Sequence, residues 1–194
     1  MIFIYRILIN LILILSPLII LFRLLKKKED LIRVKEKLSF FTKKRSKGKL
    51  IWFHGASVGE FQSIIPLLEK YDKSKKIDQI LITSNTLSSA KIISKIKLKK
   101  ITHQFFPIDN NFIVKKFISY WKPSVALFID SEIWPNMLIN LDKEKIPIVL
   151  LNARITKKSY NRWIKLKSFS KLIFDKFSLC LSSNKETVKF LKKL

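Results

Sequence analysis

The sequence of 194 residues contains one cysteine and three glycines. Because Cys180 is the only cysteine, the chain cannot form an intramolecular disulfide, which fits a reducing compartment. Gly55 and Gly59 bracket a turn, but their spacing matches neither a phosphate-binding P-loop nor the G-x-G-x-x-G pattern of dinucleotide-binding proteins. The glycines therefore give no support to a nucleotide site of either type.

Acidic residues are also scarce: 14 Asp and Glu stand against 39 Lys and Arg, a formal charge of +25. A charge of this sign favours anionic partners such as nucleic acid, phosphorylated lipid or an acidic membrane face. A Lys-rich and Ile-rich composition set by genomic base bias is the alternative explanation for part of the excess. No RNA-binding or DNA-binding motif is present, so we expect no nucleic-acid partner.

The chain begins with an almost wholly apolar stretch up to Leu25. A bilayer span needs about 20 such residues, so we predict a membrane anchor helix over residues 1–25. We favour spanning or deep insertion over an interfacial helix, which Asn10, Pro17 and Arg23 leave open as an alternative. Lys26–Lys28 follow directly, where a signal peptide would have a cleavage site of small residues, so we do not expect a signal peptide. By the positive-inside rule these lysines place the rest of the chain in the cytoplasm.

After a basic juxtamembrane segment over residues 26–49, the sequence alternates short apolar runs with stretches of helical spacing. The predicted strands are Leu50–His54, Ile80–Thr83, His103–Phe106, Val125–Ile129, Ile148–Asn152 and Leu179–Ser182. The predicted helices are Phe61–Tyr71, Ser88–Leu98, Asn111–Trp121, Trp134–Leu141, Ser159–Phe177 and Lys185–Leu194. This alternation predicts an α/β domain over residues 50–194 with a parallel sheet covered on both faces.

Ligands of such sheets bind at the carboxyl ends of the strands. The first strand ends in His54-Gly-Ala-Ser-Val-Gly-Glu60, which makes Ser57, Gly59 and Glu60 candidate site residues. A carboxylate in the first turn of a helix is favoured by the helix dipole, so Glu60 is expected to be ionised and able to accept a proton. A capping carboxylate without a catalytic role is the alternative.

Two further strand ends carry charged residues. Asp130 and Glu132 follow the fourth predicted strand, and Arg154 follows the fifth. Clustered carboxylates suit acid–base work or hydroxyl binding, whereas two acids without a neighbouring His or Cys are a poor zinc site, so no metal is predicted. Asp130 could instead cap the next helix, and Arg154 could form a structural ion pair. His54 and His103 have no Ser or Cys partner in a motif and are interpreted as structural.

Several of these segments together resemble the Kdo (3-deoxy-D-manno-octulosonic acid) transferases. Residues 51–71 are similar to the region of that family containing S-V-G-E. Asp130–Asn136, DSEIWPN, resembles its E-T-E-L-W-P-N motif, and residues 146–154, IPIVLLNAR, resemble its segment ending in N-A-R. Thr83–Ala90 and Phe106–Asp109 resemble its Thr-rich turn and its L-P-Y-D, and the resemblance covers the whole chain.

The resemblance implies a Rossmann-like N-terminal half of a GT-B glycosyltransferase that inverts configuration. Such an enzyme moves Kdo from CMP-Kdo to a lipid A precursor at the inner membrane and needs no cofactor besides its donor. It implies that Glu60 is the proton acceptor and that Asp130, where the family has Glu, stabilises the transition state. Ser57, Gly59, Glu132 and Arg154 are the expected substrate-binding residues.

The sequence stops about where the family's N-terminal half ends. We therefore expect the half that binds CMP-Kdo to be missing, as in a fragment, a truncated gene or a split enzyme. The alternative function is a membrane-tethered lipid-binding half-domain without turnover.

Overall fold

Six parallel strands form the centre of the fold, in the order β3-β2-β1-β4-β5-β6. The strands are β1 (Leu50–His54), β2 (Gln79–Ser84), β3 (Ile101–Phe105), β4 (Val125–Ile129), β5 (Ile148–Ala153) and β6 (Leu179–Ser182). The computed structural model describes all 194 residues. The strand order is that of a Rossmann sheet, whose direction of winding reverses between β1 and β4. The predicted Rossmann-like parallel sheet is therefore confirmed.

Nine α-helices accompany the sheet. They are α1 (Ile2–Leu25), α2 (Val58–Ser63), α3 (Ile65–Lys73), α4 (Leu87–Ile93), α5 (Asn111–Trp121), α6 (Pro135–Lys143), α7 (Lys157–Lys165), α8 (Lys167–Phe174) and α9 (Lys185–Leu191). Alternate side chains of each strand point to opposite faces, so Trp52 and Phe53 enter different apolar clusters. Helices α5, α6 and α8 contribute to the Trp52 cluster, and α2–α4 contribute to the Phe53 cluster.

Two helices predicted as continuous are divided. The predicted helix Phe61–Tyr71 is α2 and α3, which meet at Ile64 just before Pro66. Proline has no amide proton and is compatible only with the first turn of a helix, so Pro66 starts a new one. The predicted helix Ser159–Phe177 is likewise divided at Leu166, whose φ of −113° and ψ of 42° lie outside the helical region.

The segment before β1 packs along the outer edge of β3. It contains a 3-10 helix, Val34–Leu38, in which Glu36 is fully buried. The Glu36 carboxylate accepts a hydrogen bond from the amide of Phe105 (2.7 Å) and two from the guanidinium of Arg33 (2.8 and 3.0 Å). This contact occupies a backbone donor that an edge strand would otherwise expose. The division of the chain at residues 25 and 49 stays a prediction.

Helix α1 is long and apolar enough to cross a membrane, with a mean hydropathy of 2.6, and only a small part of it is buried. It therefore differs from the core helix of a soluble domain, which is mostly buried. Its first turns nevertheless contact the domain through Tyr5, Arg6 and Asn10. The contacts of α1 place it beside the carboxyl edge of the sheet.

Candidate functional site

The carboxyl ends of β1 and β4 lie side by side at the point where the sheet reverses, because His54 pairs with Phe128 in the parallel register. The turn that follows β1 and the loop that follows β4 therefore meet at this edge. In open α/β sheets such a reversal opens a crevice for ligands. Strand β5, which ends beside Arg154, is the next strand along.

Glu60 lies in the first turn of α2 and folds back over the turn that follows β1. Its Oε2 accepts a hydrogen bond from the amide of Ala56 across 2.8 Å. A Cβ added at Gly55 would stand 3.0 Å from this Oε2 and 3.2 Å from a side-chain atom of Ile129, so a larger residue would have to displace these side chains slightly. Oε1 makes no hydrogen bond within the chain, and the residue is partly exposed. Glu60 thus binds a backbone donor with one oxygen, and its other oxygen remains without a partner in the chain.

Ser57 and Gly59 complete this turn. Ser57 is the N-cap of α2, and its Oγ accepts the amide of Glu60 at 3.3 Å. Gly59 is exposed, and a Cβ added there would meet nothing within 4 Å. Neither Gly55 nor Gly59 has a positive φ, so neither provides a left-handed residue in this turn. Neither side-chain packing nor backbone conformation therefore requires a glycine at position 59.

Asp130 leaves β4 through a left-handed conformation with φ of 62°. Its amide donates to the carbonyl of Leu151 (2.9 Å), and its carbonyl accepts the amide of Arg154 (3.3 Å), which fixes the loop to the end of β5. Burial and then the negative charge of Glu60 raise the pKa of the Asp130 carboxyl, while the positive charge of Arg154 opposes the rise. The fold thus brings Glu60, Asp130 and Arg154 within electrostatic reach of one another.

Glu132 faces another set of partners. Its Oε2 lies 3.0 Å from Nε2 of His54 and accepts the indole N–H of Trp134 across 2.8 Å. Burial opposes ionisation of Glu132, but its interactions with His54 and Trp134 outweigh burial, so its pKa lies below the usual value. Because β4 ends at Ile129, Asp130 and Glu132 lie in the loop after the strand and do not share a strand face.

A buried relay of hydrogen bonds supports His54. The indole N–H of Trp52 donates to Oγ1 of Thr83 (2.9 Å), and this hydroxyl lies 3.0 Å from Nδ1 of His54. The ring of His54 is fully buried and stacks on Phe106 at 3.7 Å. If the hydroxyl of Thr83 donates to Nδ1 and Nε2–H donates to Glu132, these polar groups all have partners. The structural interpretation of His54 is correct, but no local sequence pattern indicated that it holds Glu132.

The N-terminus of α6 is capped by a residue that sequence reasoning missed. The carboxylate of Asp109, in the connection after β3, accepts the amides of Asn136 (2.9 Å) and Met137 (2.8 Å). The alternative that Asp130 caps this helix is therefore wrong. The only signal for Asp109 was its place in the segment Phe106–Asp109, since a cap supplied from a distant loop has no local spacing pattern.

The acidic residues do not line the best-formed cavities of the chain. A cavity of about 460 Å³ lies between the C-terminal ends of α5 and α6, where Lys122 and Glu144 are among its lining residues. Those helix ends belong to the opposite edge of the sheet from Glu60. The chain contains no cluster of three or more His, Cys, Asp or Glu side chains placed to hold a metal ion. The candidate site is an open acidic edge with one neighbouring guanidinium.

A family model described as "3-Deoxy-D-manno-octulosonic-acid transferase (kdotransferase)" matches residues 32–194. The chain belongs to the Kdo transferase family. A 3-deoxy-D-manno-octulosonic acid transferase of Rickettsia bellii is 42% identical over 174 residues, which cover 89% of this chain and 41% of that protein. A probable mitochondrial Kdo transferase of Arabidopsis thaliana is 35% identical over 169 residues, covering 84% of this chain and 38% of the relative. The chain thus spans about two fifths of the length of these relatives.

Solved structures show the same fold at low sequence identity. A UDP-GlcNAc 2-epimerase of Neisseria meningitidis bound to UDP-GlcNAc has a TM-score of 0.52 at 12% identity, covering 74% of this chain and 42% of the epimerase. A putative UDP-N-acetylglucosamine 2-epimerase of Listeria monocytogenes has a TM-score of 0.53 at 10% identity, covering 76% of this chain and 42% of the epimerase. These likenesses support the expected Rossmann-like half of a GT-B fold.

Two departures from the Kdo transferase motifs have visible structural settings. Ser89, in the Thr-rich turn, donates to the carbonyl of Ala56 across 2.9 Å, so it ties the turn after β2 to the turn that carries Glu60. Asp130, where the family has Glu, has a shorter side chain, and its backbone is fixed to β5 on both sides. The carboxylate of Asp130 consequently has less reach into the crevice than a Glu would have.

Proposed function

We propose that the chain is the acceptor-binding half of an inverting glycosyltransferase. This enzyme would transfer Kdo from CMP-Kdo to a lipid A precursor in lipopolysaccharide core biosynthesis. Family membership supports the transferase class, and the setting of Glu60 carries the proposal. The relatives are longer than the region that these 194 residues cover, and their additional part is proposed to bind CMP-Kdo.

Glu60 is the proposed base. Oε2 is held by the amide of Ala56, while Oε1 makes no hydrogen bond within the chain, and the residue is partly exposed. A base fixed in this way takes a proton without first reorganising, which favours general-base catalysis. A hydroxyl of the acceptor attacks the anomeric carbon of Kdo and gives its proton to Glu60. The bond from that carbon to the phosphate oxygen breaks, and CMP leaves with the electron pair.

Asp130 is proposed to stabilise the transition state. Glycosyl transfer develops positive charge on the sugar ring, and a nearby carboxylate lowers the energy of that charge. The repulsion between Glu60 and Asp130 that raises the pKa of Asp130 is relieved when Glu60 takes up the proton. Ser57, Gly59, Glu132 and Arg154 are proposed to bind the acceptor, with Arg154 suited to an anionic group.

The proposed reaction needs no cofactor. CMP is the leaving group and departs through its phosphate oxygen, and a carboxylate of the chain supplies the base. The anchor helix and the excess of positive charge support a position on the cytoplasmic side of the inner membrane, against its anionic inner leaflet.

The test is a complete enzyme made by joining this chain to the C-terminal part of the Rickettsia bellii relative. Glu60→Gln keeps the oxygen that accepts the amide of Ala56 and removes the base, so transfer should fall by about 10²–10⁴-fold. Glu69→Gln is the matched control, since Glu69 is exposed on α3 and changes charge equally. Unchanged turnover in Glu60→Gln would remove Glu60 from the role. Lipid binding without transfer by the folded, joined enzyme would support the non-catalytic alternative.

A further inference from the structure

One face of α1 is covered along the whole helix. The residues that are buried or partly buried are Ile2, Tyr5, Arg6, Ile9, Leu13, Ser16, Ile20, Arg23 and Leu24. They recur mostly at intervals of three and four, which is the spacing of one helix face. A helix that left the domain to cross a bilayer would lack such a face over most of its length. The contact of α1 with the rest of the chain is therefore lateral.

Polar bonds fix the first half of this face. The hydroxyl of Tyr5 donates to Asp109 (2.7 Å), Nε of Arg6 donates to Asn136 (2.9 Å), and the amide of Asn110 donates to Oδ1 of Asn10 (2.7 Å). All three partners, in the connection after β3 and at the start of α6, are buried. Because these partners belong to the folded domain, the first turns of α1 cannot enter the hydrocarbon core while the bonds persist.

The last turn of α1 is bonded as well. Nε of Arg23 lies 2.6 Å from a carboxylate oxygen of Glu29, which also binds the ammonium of Lys37 at 2.6 Å. The carbonyl of Lys37 accepts the amide of Ile108, so both ends of α1 are connected to the same stretch between β3 and α5. Residues 11–22, which lie between the bonded ends, measure about 18 Å at 1.5 Å per residue. The hydrocarbon core is about 30 Å thick, so this free part is too short to span it.

The opposite face of α1 is apolar and exposed, with Phe3, Leu8, Ile14, Leu18 and Phe22 among its side chains. Apolar side chains outside α1 are exposed too: Leu31 and Ile32 just after the helix, and Phe112 two residues after the partner of Asn10. An apolar surface of this extent marks a contact with protein or membrane. Lys26–Lys28 at the helix end and the absence of acidic residues in its first turn favour anionic headgroups.

We infer that α1 lies in the plane of the membrane instead of crossing it. Its exposed face enters one leaflet to a depth of about 5–10 Å, as amphipathic surface helices do. The occupant of the face is an anionic bilayer surface. The same contacts bring Arg6 to Asn136, two residues after Trp134, so the membrane plane runs beside the acidic edge. The inference specifies the membrane attachment of the proposed function and does not depend on its sugar chemistry.

Depth measurements along α1 test the inference. In the full chain with Cys180→Ser, single spin labels are attached through Ile4→Cys, Leu11→Cys or Leu18→Cys, which are exposed positions seven residues apart. The chain is bound to vesicles of phosphatidylethanolamine and phosphatidylglycerol, and depth is read from collisions with oxygen and with a water-soluble nickel complex. An in-plane helix gives three similar, shallow depths. An upright spanning helix shifts position by about 10 Å per step along the membrane normal, with one label near the bilayer centre.

A label through Glu69→Cys, exposed on α3 on the other face of the sheet, is the control and should stay in water. Circular dichroism of each labelled variant checks that the fold is retained. A stepped depth profile would overturn the in-plane arrangement and leave membrane attachment intact. Failure of the folded chain to bind vesicles would overturn both. A labelled variant that fails to fold is replaced by its neighbour on the exposed face, Phe3→Cys, Leu8→Cys or Leu15→Cys, so that the profile is still obtained.

Discussion

Nε2 of His54 lies 3.0 Å from Oε2 of Glu132, and this contact ties the end of β1 to the loop that follows β4. The oxygen also accepts the indole N–H of Trp134. The pKa of Glu132 lies below its usual value of 4.5 because these interactions outweigh burial. A carboxyl whose pKa is lower in the folded chain than in the unfolded chain stabilises the fold at pH values above the unfolded pKa. This stabilisation is lost as the pH falls through the folded pKa.

Replacing His54 should therefore raise the pKa of Glu132. In His54→Ala the carboxylate stays largely buried but loses a donor, and a cavity is left, so we expect a destabilisation of about 2–4 kcal/mol at neutral pH. Trp134→Phe removes the other donor with a smaller loss of volume and should raise the same pKa. Carboxyl NMR titration of Glu132 measures both changes. An unchanged pKa of Glu132 in both variants would show that the contacts with His54 and Trp134 do not stabilise the ionised carboxylate.

The Asp109 carboxyl predicts an opposite dependence on pH. Burial raises its pKa from 3.8 to about 6, although hydrogen bonds from Tyr5 and from the amides of Asn136 and Met137 oppose the rise. The folded chain thus binds more protons than the unfolded chain between about pH 4 and pH 6, and stability falls as the pH rises through that window. The loss is roughly 3 kcal/mol at 1.36 kcal/mol per pKa unit.

Denaturation of wild type and Asp109→Asn in the same detergent across pH 4–7 checks this. The variant should be less stable overall, because the NH₂ group of its side chain would face the N–H and O–H donors that now bind Asp109. The free energy of unfolding of the variant should not decrease between pH 4 and pH 6. Equal slopes for the two proteins in that window would contradict the assignment to Asp109.

Gly55 and Gly59 should respond differently to alanine. Gly55→Ala places a methyl group 3.0 Å from the Glu60 carboxylate and should cost about 1–3 kcal/mol of stability. Gly59→Ala meets nothing within 4 Å and lies in α2, so it should leave stability unchanged or raise it by up to about 1 kcal/mol. If the acceptor approaches the chain at Gly59, that variant alone should lose acceptor affinity while staying folded. Thermal unfolding and acceptor titration, done on both variants, separate the two effects.

Removing the charge of Glu60 should lower the pKa of Asp130, because the negative charge of Glu60 is one of the causes that raise it. NMR titration of Asp130 in Glu60→Gln checks this, with Glu69→Gln as the control that should leave Asp130 unchanged. The raised pKa of Asp130 costs stability as the pH rises, so Glu60→Gln should also be slightly more stable than wild type at pH 7. An unmoved Asp130 titration would mean that the two carboxylates are not electrostatically coupled.

The strands were predictable because each is a short apolar run between turn residues, and parallel strands place their ends together whatever the details of the helices. This was enough to bring Glu60, Asp130 and Arg154 to one edge. The roles of His54 and Asp109 were not predictable, since their partners Glu132 and Met137 lie 78 and 28 residues away in sequence. Asn10 looked like an interruption of an apolar run, and only the folded chain shows that it contacts the domain together with Tyr5 and Arg6.

The carboxylate of Asp109 is bonded both to α1 and to the α/β domain, and this affects how the protein can be handled. Trimming residues 1–25 for easier purification would take away the phenol that donates to Asp109 and the guanidinium that donates to Asn136. The trimmed protein would keep its sheet but carry a buried acid with one donor fewer, directly under the start of α6. Measurements on such a shortened form would therefore apply to a protein in which the connection containing Asp109 is held by fewer hydrogen bonds.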